Sequence, residues 1–599
     1  GLSNVGGKAF GDSLSVDTHG NALNNSGNGT LAATTMIAIS SGALTNDASL
    51  IQSGGAMTVN TNGQTLINTN AASYSTKQGG IASGDTLHLK AGTVSNAAGF
   101  VGSKNALTAD TQAFSNTGGG VVLGQATVAI NTNGTAYDNS GGQTQAVGDL
   151  SINAGSINNN GSLVRSIAKT TLNAGTITNA NTLGTDQGIE GKNVAIGVGD
   201  LNNASGAIRA DVDATIISGG TLTNTNGLIS SGNTLSIVDP NRANPSAKTL
   251  NVVNTGGTLV AGTAAVLGAD GKVQTAAVGK LDIYAKGFNG DGTTVGVNDL
   301  SIALTQDVTN NVDVKAGGNL TYATTGKLTN NGKLLAGGTV TASGNDVENT
   351  VNGEVTGSTT IVSAANTLTN RGLIDGYSTQ INGGTVNNVG TGRIYGDIVS
   401  VAVGTLNNDS ETVGGVTKAG TIASRDTLDI GAQTINNREH ALLFSVGEMF
   451  IGGGLDAKRQ AIGKGGTLNN LSATVESLGD MSIAMGQINN FDNHFAVVRT
   501  SSGPVNGDHT ITPLGGIEMP IDKFVLDRAG RVWSTIINGQ VVSGKGWIER
   551  QYTTTTEVDQ PANPPDPGRI YSGGNMTIDG KLRNRDSQVM AGGQFSIDP

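Results

Sequence analysis

A three-residue signature, an apolar residue followed by a usually polar residue and then asparagine, recurs along most of this 599-residue chain. In the most regular stretch, from Val308 to Leu406, successive signatures are about 20 residues apart. A period in this range indicates stacked repeats, in which each unit buries its apolar face only against its neighbours. The signature begins at Leu23, Leu44, Leu66, Val94, Phe114, Tyr137, Ile157, Ile177, Leu201, Leu222, Val252, Val308, Leu328, Val347, Leu368, Val386, Leu406, Ile435, Leu468, Ile488 and Leu582.

Between signatures the chain carries short alternating segments punctuated by asparagine and glycine, as in Thr221–Ile237 and Lys327–Val340. Alternation of apolar and polar residues gives a strand with one buried face. Asparagine and glycine tolerate positive φ and turn the chain between strands. Three strands and three turns form one triangular coil. The sequence therefore predicts an all-β fold, a right-handed parallel β-helix of about 20 residues per coil and about 100 Å long.

The asparagine of each signature is expected to stack on the asparagine of the neighbouring coil. Side-chain amides would then pair along the axis, as they do in cross-β stacks. The apolar residue of each signature would stack inside the coil. In the most regular stretch the predicted structural asparagine ladder consists of Asn330, Asn349, Asn370, Asn388 and Asn408.

Composition supports a narrow, one-dimensional core. Aromatic residues are 3% of the chain and charged residues 13%. An ordinary globular domain has more aromatic residues to fill a wide core, and about twice this fraction of charged residues on its surface. Disorder is disfavoured, because β-branched residues recur regularly and only 10 prolines occur. A net charge of −11 makes nucleic acid a poor partner. The sequence has no apolar run long enough to predict a membrane span.

Two stretches depart from the repeat. The segment 494–568 contains seven of the ten prolines and both tryptophans. Its turn signals, Asp527–Gly530 and Asn538-Gly539, lie between alternating runs and predict antiparallel hairpins. The predicted divisions are β-helix repeats over 1–251, irregular coils with larger loops over 252–307, repeats over 308–493, an antiparallel β excursion over 494–568 and repeats over 569–599.

The excursion also holds the residues best suited to contact a partner, because tight interfaces usually centre on Trp, Tyr or Arg. The candidate partner-contact residues are Trp533, Trp547, Arg528, Arg531 and Lys545. A structural alternative is that the two tryptophans fill a small core that holds the excursion against the shaft. An isolated pair of hairpins is marginal without such burial.

The sequence predicts no catalytic, cofactor-binding or metal-binding residues. The chain has no cysteine, and its five histidines do not obviously fall in register with one another. His494, Asp508, His509 and Glu518 match no known metal-site spacing. A β-helical polysaccharide lyase or hydrolase, the alternative function, needs carboxylates converging on one face, and no stacked acidic pairs emerge. We therefore expect that the chain is not an enzyme.

The segments SGGAMTV, AGGTVTAS, SGGNMTI and AGGQFSI resemble the repeats of filamentous haemagglutinin and of the exoproteins of contact-dependent growth inhibition. Both belong to the two-partner secretion class of Gram-negative bacteria. The segments Tyr552–Thr556 and Asp566–Ile570 also resemble a junction common in these exoproteins.

The resemblance implies export through an outer-membrane two-partner secretion transporter and a location outside the cell or on its outer-membrane surface. It also implies a filament that contacts a receptor on a target cell. Adhesion and toxin delivery to neighbouring bacteria both remain open. Because the chain starts at Gly1 without a signal sequence, we expect an internal shaft segment of a larger exported protein.

Overall fold

The computed structural model describes residues 1–75, 78–267 and 273–598. The chain forms a parallel β-solenoid of about 28 turns with about 21 residues per turn, so the predicted all-β parallel helix is confirmed. Within the described residues the helical elements are three single-turn 3-10 helices, at Ala71–Ser73, Pro245–Ala247 and Ile521–Lys523. Parts of the predicted divisions, at 76–77, 268–272 and 599, lie outside the described residues.

One coil shows how the sequence produces three strands. It consists of Phe100–Ser103, Leu107–Asp110 and Ala113–Ser115, which pair in parallel with the equivalent strands of the next coil. Alternate side chains point inward, so Val101 and Leu107 are buried. The neighbouring coils cover the ends of each layer, which explains how a core poor in aromatic residues can still be dry.

The strands of the first half of the chain are mostly short, although Gly188–Asn202 has 15 residues, and Val266–Leu267 pairs antiparallel with Val273–Thr275 outside the parallel stack. Their bounds are Leu2–Ser3, Lys8–Asp17, Leu23–Asn24, Thr30–Ser40, Leu44–Thr45, Leu50–Ser53, Met57–Asn60, Leu66–Ile67, Gly80–Ser83, Leu87–Lys90, Thr93–Ser95, Phe100–Ser103, Leu107–Asp110, Ala113–Ser115, Val121–Gly124, Val128–Asn131, Ala136–Asp138, Gln143–Ala146, Leu150–Asn153, Ser156–Asn158, Leu163–Ser166, Lys169–Thr178, Gly188–Asn202, Ala207–Ser218, Thr221–Thr223, Leu228–Ser231, Thr234–Val238, Asn251–Val253, Thr258–Ala261, Val266–Leu267, Val273–Thr275, Lys280–Tyr284, Gly287–Asn289, Thr293–Gly296 and Asp299–Leu304.

In the second half several strands merge around the corners of the coil, the longest being Arg393–Val413. The other bounds are Val308–Asn310, Asp313–Ala316, Leu320–Thr324, Lys327–Asn330, Lys333–Ala336, Thr339–Asn349, Glu354–Asn370, Leu373–Val389, Val416–Ala419, Thr421–Arg438, Leu442–Ser445, Glu448–Gly452, Gly454–Leu455, Ala461–Ile462, Gly465–Leu471, Thr474–Ser477, Met481–Phe491, Arg569–Ser572, Met576–Arg585, Gln588–Ala591 and Phe595–Asp598.

The apolar residues of the signatures form the interior stack that their spacing predicts. From Val308 to Leu406 each pairs in register with the signature residue of the next coil. All of them are buried. Because a one-residue slip would turn every side chain to the opposite face, this register is strongly specified.

The signature asparagines are buried beside that stack and hydrogen-bond to one another along the axis. Except at Asn254 and Asn584, each donates from Nδ2 to Oδ1 of the next asparagine at 2.6–2.9 Å. Asn330, Asn349, Asn370, Asn388 and Asn408 are consecutive members of this row.

The row of asparagines is interrupted once. Twelve asparagines connect Asn4 to Asn254, and ten connect Asn310 to Asn584. In the coil between them Gly290 occupies the equivalent position, at φ +122°, where its backbone approaches that of Asn254 closely. The amide of Asn254 instead donates to the carbonyl of Thr293 at 3.1 Å.

Candidate functional site

The excursion over 494–568 leaves the solenoid as a nested series of antiparallel strands. A neck ribbon pairs Val497–Ser501 with Glu557–Pro561. A central sheet follows, formed by Val505–Pro513, Met519–Pro520 and Trp547–Thr554. A distal sheet, the farthest along the chain from the neck, contains Phe524–Asp527, Val532–Ile537 and Gln540–Lys545.

The two hairpins of the distal sheet are the ones that the sequence predicts. Asp527 accepts backbone hydrogen bonds from Ala529 and Gly530 at 3.1 Å and so stabilises the first turn. Asn538 and Gly539 both have positive φ, 51° and 77°. The two-residue turn of a tight hairpin requires such values. The prediction of antiparallel hairpins is therefore confirmed.

The predicted contact residues divide into two environments. Trp533 is half-buried and packs edge-on against Phe524, with ring centroids 6.0 Å apart. Its indole N–H is buried and has no acceptor among the described residues. Trp547 is also half-buried and pairs in register with Pro513.

The three predicted basic contact residues are exposed. Arg528 makes two hydrogen bonds to the carboxylate of Glu549, at 2.8 and 3.1 Å. Arg531 lies in the first turn of the distal sheet with φ 50°, and Lys545 ends its last strand. The structure thus brings Trp533, Arg531 and Lys545 onto one sheet.

The distal sheet exposes an apolar face that sequence analysis missed. Val525, Ile536 and Val541 lie on the face opposite Phe524 and Trp533, and they are 75%, 71% and 74% exposed. This face borders a groove of about 720 Å³. Strict alternation in Phe524–Asp527 could have identified the exposed face, but only if the buried side of the hairpin had been known.

Exposed apolar side chains are concentrated in the excursion as a whole. Of the 35 large apolar side chains that are exposed in the described part of the chain, 14 lie between 494 and 568. The excursion has 75 of the 599 residues, so it carries about three times its share. Contiguous exposed apolar surface is a common mark of an interaction site.

Ion pairs and charged hydrogen bonds hold the central sheet to its neighbours. The guanidinium of Arg528, with His509 at 2.6 Å, lowers the pKa of Glu549 to about 2. Hydrogen bonds from the hydroxyls of Thr510 and Tyr552 lower the pKa of Glu518. Protonation of either carboxylate would remove its negative charge and weaken these ion pairs and hydrogen bonds.

The neck joins the shaft through a cluster of ionisable side chains. The imidazole of His494 lies between two carboxylates, with Nδ1 3.0 Å from Asp566 and Nε2 3.1 Å from Glu439. His440 also approaches Asp566, with Nδ1 at 3.6 Å. His440 and His494 therefore approach the same carboxylate, although they are 54 residues apart in sequence.

The grouping of His494 with Asp508, His509 and Glu518, which matches no metal-site spacing, does not form in the structure. His494 lies at the neck, whereas His509 and Glu518 have separate partners in the central sheet. Within the described ranges no group of three or more His, Asp or Glu side chains is arranged to hold a metal ion. Among the same residues, no helix is long and apolar enough to cross a membrane.

A second groove, of about 620 Å³, lies on the shaft beside the hairpin that joins Arg393–Val413 to Val416–Ala419. Arg371 at its base binds Glu411 at 2.9 Å and Glu348 at 3.4 Å. The hydrogen bond from Arg371 lowers the pKa of Glu411. A general acid for glycoside cleavage needs the opposite shift.

The fold and these surfaces define the class of the protein as a parallel β-solenoid with a side excursion. No protein-family model, curated protein or solved structure matches the chain.

Proposed function

We propose that this chain is a shaft segment of a secreted, cell-surface filamentous exoprotein, and that the excursion is the part that contacts a target. The filament would serve adhesion or toxin delivery to neighbouring bacteria, and the chain would reach the surface through a two-partner secretion transporter. Its family would be that of filamentous haemagglutinin and the contact-dependent growth inhibition exoproteins. The proposal rests on the resemblance of the repeats and on the fold.

One observation carries the assignment of the contact to the excursion. Exposed large apolar side chains are concentrated there, whereas the shaft presents mostly small polar residues such as Thr and Asn. About 28 coils at about 4.8 Å each give a rod of about 130 Å, long enough to hold the excursion away from a surface.

We also propose that the chain acts by binding and not by catalysis. The carboxylates of the shaft groove support this view, because Glu411 and Glu348 are paired with Arg371. Release of reducing sugar or unsaturated product from a polysaccharide panel would contradict it.

The test is deletion of 495–567 with a short connecting loop. The excursion leaves the shaft and returns to it at neighbouring positions, because the backbone N–H of Asp566 donates to the carboxylate of Asp492 at 2.8 Å. A short loop can therefore join the two ends, and the solenoid should remain folded. The parent chain and the deletion variant would be displayed on cells, and their binding to target cells compared. We expect the variant to lose at least tenfold in binding.

A matched control removes a different projection, the hairpin 411–418, which should leave binding unchanged. Equal binding by the parent and the 495–567 deletion variant would show that the excursion is not the recognition element. Loss of binding by both deletions, with circular dichroism intact, would show that the excursion is not the only recognition element.

A further inference from the structure

The outgoing and returning segments of the excursion meet the shaft at one small site. The backbone N–H of Asn493 donates to Ser472 Oγ at 2.9 Å, and its side-chain amide donates to Glu439 at 2.8 Å. Ser472 in turn donates to the carbonyl of Asp566 at 2.9 Å. Three successive layers of the fold therefore converge here: the turn at Glu439, the turn at Ser472, and the neck.

The side chain of His494 lies between the returning segment and the shaft turn at Glu439. Both of its ring nitrogens face carboxylate oxygens, those of Asp566 and Glu439. A neutral imidazole has a single N–H and can donate to only one of them. The other nitrogen would then direct its lone pair at a carboxylate, so the geometry suits the doubly protonated ring.

The carboxylates around His494 favour the same state. Asp492 is buried and accepts the backbone N–H groups of His494 and Asp566 at 2.9 and 2.8 Å. His440, on the shaft turn, adds a second imidazole near Asp566 at 3.6 Å. Arg438, next to it, is directed toward Asp409 at 3.6 Å. The carboxylates of Asp492, Asp566 and Glu439 thus outnumber the permanent cations that are directed at them among the described residues.

We propose that His494, Glu439 and Asp566 form a proton-operated latch that fixes the orientation of the excursion on the shaft. When His494 is protonated, it binds the returning segment to the shaft turn. When His494 is neutral, it can donate to only one of the two carboxylates, and its positive charge no longer offsets theirs. The excursion then gains freedom at its neck.

The direction of the pH effect follows from the environment of His494. The hydrogen bond to Asp566 raises the pKa of His494 above its ordinary value. A raised pKa means that the latch contributes fully below the ordinary histidine pKa of about 6.5 and is lost as the pH rises through the raised value. The latch is therefore closed in mildly acidic solution and open in alkaline solution.

Because the chain has no cysteine, two spin labels can be placed specifically. We would introduce Tyr377→Cys on the shaft and Ala529→Cys in the distal turn, both at exposed positions. Distances would be measured by pulsed electron paramagnetic resonance in the full chain, at about pH 5.5 and about pH 9. We expect a narrow distribution at the lower pH and one at least twice as broad at the higher pH.

His494→Gln should give the broad distribution at both pH values. His19→Gln is the matched control, since His19 also pairs with a carboxylate, Asp17 at 3.3 Å, but lies on the first coils of the shaft. A parent distribution that does not change with pH, or a His494→Gln variant that still responds, would overturn the latch. If that variant fails to fold, Glu439→Gln serves instead and should reduce the response.

The pKa of His494, measured by NMR with labelled histidine, gives a separate readout. It should lie above the ordinary value in the parent and fall in Glu439→Gln. An ordinary or lowered pKa in the parent would overturn the proposal. So would a pH response that disappears when EDTA is added, because that would assign the effect to a metal ion.

Discussion

The shaft and the excursion are both made of β-strands, yet they are stabilised by different chemistry. In the shaft, coils stack through buried aliphatic side chains and neutral asparagine amides, none of which titrates. In the excursion, the sheets depend on charged partners such as Arg528 with Glu549 and Arg499 with Asp559. A stacked array can be uniform because each layer repeats the last, whereas an isolated sheet needs specific partners at its edges.

The largest expected effect is on the shaft core. Leu368→Asp places a charge in a narrow apolar stack and should lower the free energy of unfolding by about 4 kcal/mol or more. The outward-facing neighbour provides the control, and Thr369→Asp should cost less than about 1 kcal/mol. Chemical denaturation followed by circular dichroism would measure both. Equal effects of the two substitutions would mean that the register is wrong.

A smaller effect is expected from the row of asparagines. Asn370→Ala removes one of the acceptors of Asn349 Nδ2 and leaves the buried Oδ1 of Asn388 without the donor it has in the row. Unsatisfied buried groups cost about 1–3 kcal/mol. Asn366→Ala, at an exposed corner, should change the free energy of unfolding by no more than about 0.5 kcal/mol. A denaturation midpoint that does not move in Asn370→Ala would show that the row adds nothing to stability.

Acid should destabilise the excursion before the shaft. The carboxylates of Glu549, Glu518 and Asp559 have lowered pKa values, so the stability they contribute is present above their unfolded values and is lost as the pH falls. For Glu549 that window extends from about 4.5 down to about 2. Both tryptophans lie in the excursion, so tryptophan fluorescence reports on it alone.

We therefore expect a fluorescence change on acidification from about pH 4.5 to about pH 2 while the far-ultraviolet circular dichroism of the shaft is retained. Arg528→Met should weaken the acid transition because Glu549 loses its main partner. Simultaneous loss of both signals would mean that the shaft is as sensitive to acid as the excursion.

The smallest effect concerns the exposed face of the distal sheet. Ile536→Thr and Val541→Thr keep β-branched side chains in strands and should change the stability of the excursion by no more than about 0.5 kcal/mol. Trp533→Ala, on the opposite face, removes a half-buried ring and should cost at least about 1 kcal/mol, and thermal unfolding would measure all three variants. A large loss from Val541→Thr would mean that this face packs against something in the folded chain.

Sequence predicted the shaft well because each coil repeats one pattern. Two coils are absent from the predicted signatures for different reasons: Leu2-Ser3-Asn4 at the first rung fits the pattern but is not among them, and Phe288-Asn289-Gly290 lacks the asparagine. Loops on the shaft were also missed. Arg459 hydrogen-bonds to Ser400 and Asn382, 59 and 77 residues away, and no local pattern encodes that contact.

The site was predictable only in part. The hairpins follow from turn residues that act locally, at Asp527 and at Asn538-Gly539. The cluster at the neck joins Glu439, His494 and Asp566, which are far apart in sequence, and their contact depends on how many coils separate them. The side of each hairpin that faces solvent likewise depends on tertiary packing, which explains why the exposed Val525 was missed.

The single glycine in the row of asparagines has a consequence for how the rod would come apart. Linked amides polarise one another, so each unbroken row strengthens its own members cooperatively. At Gly290 that coupling stops, and the molecule behaves as two blocks joined by a weaker nearest-neighbour interface, like a one-dimensional Ising chain with one soft bond. Under a force applied to its two ends, such a rod would unfold in two steps, with the boundary near the coil that contains Gly290.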